Sequence, residues 1–325
     1  MRTLDTVREP HVTVSSLRSQ RVVGRGAPQE TRLPTPDVIA IFGPTASGKT
    51  RLAERVADRL GTEVVSADAL QVYRGLEIIT NQPERPTRLV GIRALDEEMS
   101  VGGYAALAHG QIDEFVSERG CAVVAGGTGL YLRAALVDLA IPPRLPDGTR
   151  ARLERLYDES REVAFARLSE LDGRAARTVH PNDRRRVVRA LELAESGRSL
   201  VPAQGLLWSD AVRRPTLVVG LDVPPAALER RIRERTSAML ARGAVAEARR
   251  AAAGGLSRTA SRALGLEELT SVPEDEAFER VVVRTRRYAA YQRKWMRRIP
   301  EIVLLDATRP HDELADDVLD LARAR

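Results

Sequence analysis

The eight residues Gly43, Pro44, Thr45, Ala46, Ser47, Gly48, Lys49 and Thr50 constrain this chain more than any other stretch. They match G-x-x-x-x-G-K-[ST] at every defined position, and they stand between an apolar run that begins at Asp37 and an amphipathic run that closes at Gly61. A glycine-bounded turn from strand to helix points successive backbone N–H groups at one place, and the helix N-terminus adds the positive end of its dipole. Lys49 supplies a mobile cation, and Thr50 a hydroxyl suited to magnesium. The segment therefore predicts a βα unit with a phosphate or diphosphate site of the nucleotide-binding kind.

Two further strands follow, "TEVVSAD" and "CAVVAGG", the second running through a glycine turn into the helical "LYLRAAL". Strands that alternate with helices predict an α/β fold: a P-loop NTPase-like parallel sheet covered by helices. After "LAIPPRLPDG" the texture changes, and three helical stretches end at or near Glu159, Gly173 and Gly197 with no strand among them. Strand patterning returns at "PTLVVGLDV" and again at "EIVLLDA", with helices "LERRIRERTSAMLARG" and Glu276 to Ile299 between them. The expected organisation is a discontinuous core, 37–142 and 215–310, a helical insertion domain at 143–214, and a C-terminal helix or tail at 311–325. Residues 1–36 lack sustained periodicity and the apolar centre of a signal peptide, so they read as a disordered tail despite a transit-peptide-like content of Arg and Ser.

With 325 residues the chain can bury a sizeable core, and a single cysteine, Cys121, excludes an internal disulfide framework and a cysteine-based zinc site. No apolar run approaches the ~20 residues of a membrane span, so the expectation is a soluble cytoplasmic protein, acting as a monomer, with no membrane partner. The net charge of +6 points to a polyanionic partner. Almost all of that positive charge is arginine; the two lysines are Lys49 and Lys294, which makes a lysine inside the phosphate loop hard to assign to chance.

The choice of chemistry turns on an acid. An NTP hydrolase carries an acidic residue at the end of an apolar strand to hold its magnesium through water, but "CAVVAGGTG" ends in glycine and Thr128. Asp68 closes the other strand, within "SADALQVYRGLEIITNQP". From position alone it is a magnesium acid, a proton acceptor for a substrate beside the phosphates, or a helix cap. Thr128 is either a turn residue or a substrate contact. In "NDRRRVVRALEL" an apolar stripe of Val187, Leu191 and Ala194 leaves Arg185, Arg186 and Arg189 to reach neighbouring phosphates and bases. Farther on, Phe278, Val281, Thr285, Tyr288, Gln292, Trp295 and Ile299 form a mostly apolar seam beside a separate basic stripe of Arg280, Arg284, Arg287, Lys294 and Arg298. Either arginine stripe is also what a solvated charged face looks like.

Six stretches, "GPTASGKT", "SADALQVYRGL", "GGTGLYLRAAL", "NDRRRVVRALEL", "SRALGLEEL" and "RTRRYAAYQRKWMRRI", stand in the order and approximate spacing of the bacterial tRNA dimethylallyltransferases, which the chain resembles from about Asp37 to Pro300. The resemblance implies transfer of a five-carbon prenyl group from dimethylallyl diphosphate to the exocyclic amine of the adenosine at tRNA position 37, beside the anticodon. It implies Mg2+ as cofactor, the phosphate loop as holder of the leaving diphosphate, and a target base flipped into a channel. Asp68 then matches the proton acceptor, with Thr128 as the second catalytic position. Asp68, Ala69, Leu70 and Gln71 match the segment that touches the adenosine. Arg235 matches a diphosphate contact, and Thr50 a metal ligand. Arg150 and the run Arg185, Arg186, Val187, Val188 and Arg189 match contacts to the anticodon loop of tRNA.

Two departures lie close to these positions. "ITNQP", Ile79 to Pro83, replaces the family's common "GTAKP", and "RLVGIRALDEE" lacks its paired histidines. Three functions accommodate the residues: a tRNA prenyltransferase, with an enzyme that prenylates free AMP as its near relative; a small-molecule P-loop kinase with the insertion as lid; and an RNA-binding protein without catalysis.

Overall fold

The computed structural model describes residues 36–139, 141, 148–201, 207 and 209–325. The tail assigned to residues 1–36 lies outside them apart from Pro36, as does the stretch Pro142–Pro146 where the sequence places the start of the insertion.

The chain opens with β1 (Val38–Phe42), α1 (Lys49–Leu60), β2 (Val64–Ser66), β3 (Thr87–Arg88), α2 (Val101–Arg119), β4 (Ala122–Gly126) and α3 (Gly129–Leu136). All residues of β1, β2 and β4 are buried, as strands covered on both faces must be. After an excursion the chain returns with β5 (Thr216–Asp222), preceded by four further helices: α4 (Thr149–Glu159), α5 (Arg161–Leu171), α6 (Gly173–Thr178) and α7 (Arg184–Glu195). It finishes with α8 (Pro225–Ala241), α9 (Ala244–Ala253), α10 (Leu266–Ser271), α11 (Glu274–Met296), β6 (Val303–Asp306) and α12 (His311–Arg323). The six strands form one parallel sheet in the order β3-β2-β4-β1-β5-β6, so the α/β expectation holds. Phe42 pairs with Gly126 on one side and Gly220 on the other. The strands β1 and β4 thus end level, while β5 continues to Asp222, and the loops that leave β1 and β4 emerge side by side at the carboxyl edge, where open α/β sheets hold their ligands.

The chain divides into two compact units, one made of the described residues up to Asp138 together with Asp210–Arg325, the other Leu139–Ser209. Both ends of the insertion therefore fall a few residues earlier than 143 and 214. Arg213 and Arg214 belong to the sheet unit because they pair with Asp113, Asp138 and Asp37 there. The C-terminal segment is a helix of the core: Leu314, Ala315, Val318 and Leu319 of α12 are buried in the cluster that holds Leu52 and Val56 of α1.

The second unit has its own core, in which Leu153, Leu168, Val187, Val188 and Leu191 are fully buried. Side-chain caps open three of its helices: Ser160 accepts from Val163 N at 3.3 Å, Asp172 from Ala175 N at 3.0 Å, and Asp183 from Arg186 N at 3.1 Å. Gly173 does not stop a helix, as its position suggests; it is the first residue of α6, because Asp172 ends α5 and caps the next helix at once.

Candidate active site

The phosphate loop follows β1 directly. Ser47 N donates to Pro44 O at 3.2 Å, Ala46 is left-handed at φ 61°, and Gly48 takes φ 92° before α1 begins at Lys49. No side chain caps α1, and its first turn carries no acid, so the N–H groups there are left for an anion. Ser47 Oγ is buried without a hydrogen-bond partner, and it packs against Gly43, where a Cβ would come 2.6 Å from it. Burial lowers the Lys49 amine to about 8, with Arg235 pushing the same way and the Asp68 carboxylate opposing both. Arg235, from α8, donates to Thr45 Oγ1 at 2.6 Å, and burial holds its guanidinium below the usual arginine range while Asp68 again opposes. Two cations and one carboxylate share this site.

The acid side is built at the end of β2. Asp68 Oδ1 accepts from Leu70 N at 3.0 Å, which turns the chain sharply and leaves Oδ2 outside that bond. Thr128 Oγ1 accepts from Ala69 N at 3.2 Å, and Thr128 N donates to Ala67 O at 3.4 Å, so the turn after β4 is fastened to the turn after β2. Ala69 and Leu70 take part through their backbones. Gln71 does not extend a free amide: Ser66 Oγ donates to its Oε1 at 3.0 Å, and its Nε2 donates to Asn81 O at 3.1 Å. The carbonyl of Asn81 belongs to the departing "ITNQP" segment, so that segment holds Gln71 in place. Around Asp68 the hydroxyls of Tyr104, Tyr131 and Tyr288 are raised, by burial first and then by its negative charge among others.

Three further residues reach this site without having been singled out for it. Gln292 of α11 is buried and accepts from Thr45 N at 2.8 Å while donating to Gly127 O at 2.8 Å. Glu247 of α9 is buried and accepts from Ile78 N at 2.8 Å and Ile79 N at 2.7 Å, fixing the turn that carries the Asn81 carbonyl; burial raises its carboxyl. His311 opens α12 against Gly48, where a Cβ would come 2.5 Å from its Nε2, and burial with nearby Arg51 and Arg231 lowers its imidazole.

The arginines of the insertion lie in the other unit. Arg150 donates to Glu154 at 2.9 Å and Glu192 at 3.2 Å, and Arg189 shares Glu192 at 3.2 Å. Arg185 and Arg186 are exposed. Val187 and Val188 correct the expectation: both side chains are fully buried in the insertion's core, because α7 packs against both α4 and α5, and neither can reach an RNA. On α11, Arg280 and Arg284 of the basic stripe are paired with Glu276 and with Glu267 and Glu268. Among the described residues no group of three His, Cys, Asp or Glu could hold a metal, and no helix is long and apolar enough to cross a membrane.

Fold and site define an α/β protein of P-loop type, with a glycine-bounded strand-to-helix loop beside an acid-bearing turn. The chain matches the family model for IPP transferase over residues 71–299 and that for isopentenyl transferase over residues 36–93. It is 39% identical over 312 residues to the tRNA dimethylallyltransferase of Kineococcus radiotolerans, spanning 89% of this chain and 95% of that one. It is 40% identical over 284 residues to that of Streptomyces coelicolor, spanning 83% and 90%. The structure superposes on the tRNA isopentenylpyrophosphate transferase of Bacillus halodurans with a TM-score of 0.63 at 29% identity, covering 88% of this chain and 95% of the other. It matches a eukaryotic dimethylallyltransferase acting on tRNA with a TM-score of 0.71 at 27% identity, covering 83% and 73%. This chain belongs to the tRNA dimethylallyltransferase family.

Proposed function

We propose that the chain transfers the dimethylallyl group of dimethylallyl diphosphate to the exocyclic amine of the adenosine at tRNA position 37, with Asp68 accepting the amine proton. The observation that carries this reading is that the phosphate loop and the acid-bearing turn are joined: Gln292 bonds both Thr45 N and Gly127 O, Arg235 bonds Thr45 Oγ1, and Thr128 next to Gly127 accepts from Ala69 N beside Asp68, so a diphosphate cradle and a proton acceptor adjoin. In the reaction the adenine nitrogen forms a bond to the prenyl C1, the bond from C1 to the diphosphate oxygen breaks, and the diphosphate leaves with that electron pair. The amine proton passes to Asp68. An adenine amine is a poor nucleophile because its lone pair is delocalised into the ring, which is why a positioned carboxylate matters.

Lys49, Arg235 and the N–H groups of the loop bind the leaving group and stabilise its charge as it departs. Thr128 keeps the Asp68 turn in register with β4. A magnesium ion fits the donor set, since this ion ordinarily takes substrate phosphates plus one or two protein oxygens rather than an all-protein cage. Thr50 would hold it, and when bound it neutralises diphosphate charge. Arg150, Arg185, Arg186 and Arg189 serve the anticodon loop. We further read the protein as a cytoplasmic monomer.

Mass analysis of tRNA nucleosides before and after incubation with the protein, dimethylallyl diphosphate and magnesium tests the reading. A gain of one dimethylallyl group on adenosine is the expected result. Unmodified tRNA together with magnesium-dependent ATP turnover would replace the reading with the kinase, and free AMP accepting the group in place of tRNA would move the acceptor.

A further inference from the structure

One face of α11 runs along the join between the phosphate loop and the acceptor turn. Tyr288 interacts with Thr128, Gln292 bonds Thr45 and Gly127, and Trp295 packs on Gly129. Positions 288, 292 and 295 are spaced to share a helix face. At its centre Gln292 is only 2% exposed, and both ends of its amide are committed: Oε1 accepts from Thr45 N at 2.8 Å, and Nε2 donates to Gly127 O at 2.8 Å. The fit is close, since a Cβ on Gly127 would lie 2.3 Å from that Nε2.

Each bonded partner leads into the chemistry. Thr45 also receives Arg235 on its hydroxyl at 2.6 Å, and Gly127 precedes Thr128, whose hydroxyl receives Ala69 N beside Asp68 at 3.2 Å. One side chain therefore ties the loop that holds the leaving group to the turn that holds the proton acceptor. We propose that Gln292 is a positioning residue that sets the distance between these two loops, so that diphosphate and adenine amine are held in line. The proposal rests on the prenyl-transfer reading above. It requires one donor and one acceptor in fixed sense: a carboxylate offers two acceptors, an aliphatic chain neither, and a protonated carboxylic acid again offers one of each.

The test uses the full chain with Gln292→Glu and Gln292→Leu, comparing each with the parent at the same pH from about 8.5 to about 6, a range in which a buried glutamate regains its proton. Two quantities are read: single-turnover prenyl transfer to tRNA, and affinity for inorganic pyrophosphate. Gln292→Leu is expected to transfer about 100-fold more slowly throughout, the loss typical of reacting groups displaced by about 1 Å. Gln292→Glu should be as slow at the alkaline end and recover toward the parent as pH falls, in both readouts. Parent-like behaviour of Gln292→Leu, or a Gln292→Glu variant that shows no recovery in either quantity, overturns the proposal. Should Gln292→Leu fail to fold, the recovery of Gln292→Glu decides alone. A parent protein that transfers nothing would refute the prenyl-transfer reading instead, and the pyrophosphate series would still decide whether Gln292 sets the loop.

Discussion

Arg235 Nη1 lies 2.6 Å from Thr45 Oγ1, so a helix that follows the last central strand donates directly into the phosphate loop. The guanidinium has five donors, and one such bond leaves others for a diphosphate oxygen. Replacing Arg235 with Gln is expected to weaken pyrophosphate binding by about 10- to 100-fold, the worth of a hydrogen bond to a charged group. Arg235→Lys should recover little of this, because an ammonium cannot hold the threonine and the phosphate in one plane. Calorimetric titration with pyrophosphate checks both, and unchanged affinity in Arg235→Gln would remove that residue from the cradle.

Lys49 gives the site a pH dependence of definite sign. Its folded value of about 8 lies below the ordinary 10.5, so between these values the unfolded chain holds more protons, and stability attributable to this group rises with pH. The ligand-free protein should therefore carry a burial cost at Lys49 below about pH 8 that fades toward pH 10, on the order of 2 kcal/mol once partial exposure is allowed for. Denaturant midpoints of parent and Lys49→Met at several pH values measure it, the two converging as pH rises. Pyrophosphate binding runs the other way: the anion favours the charged amine, so affinity should fall as pH rises above about 8.

The insertion offers a split between stability and RNA binding. Val188→Ala should destabilise by about 1–3 kcal/mol, the cost of a cavity at a fully buried site, and leave the salt dependence of tRNA binding as it was. Arg186→Ala should leave stability alone, weaken tRNA binding and reduce the slope of log affinity against log salt by about one. Chemical denaturation and a salt series of binding isotherms separate them. A Val188→Ala protein of parental stability would contradict the burial of α7.

The phosphate loop, Asp68 and the parallel sheet were legible because each is written locally, in residues adjacent along the chain. Gln292 was not, since its position reads as one more place on a mostly apolar seam, and its partners lie 247 and 165 residues away in sequence. Glu247 is hidden for the same reason, at 169 and 168 residues from the N–H groups it holds. In α2 the buried residues Tyr104, Ala108, Ile112 and Phe115 do have helical spacing, but Gly102, Gly103 and Gly110 dilute the propensity around them. Val188 misleads in the opposite direction: helical spacing puts Val187 on the apolar stripe, but Val188 sits among arginines in a motif, and the packing of α7 on α4 and α5 is what shows that it too faces inward.

The central claim is that Asp68 accepts the proton of the adenine amine, and single-turnover transfer by Asp68→Asn tests it most directly. The asparagine keeps the Oδ1 acceptor for Leu70 N, so the turn should persist and both substrates should still bind. Loss of the proton sink predicts a chemical step slower by about 100-fold or more, with tRNA affinity and thermal midpoint little changed. A magnesium ligand would instead lose diphosphate affinity, and a residue that only capped the turn would leave both stability and turnover intact, since asparagine caps as well as aspartate. Transfer by Asp68→Asn at the parental single-turnover rate would contradict the account.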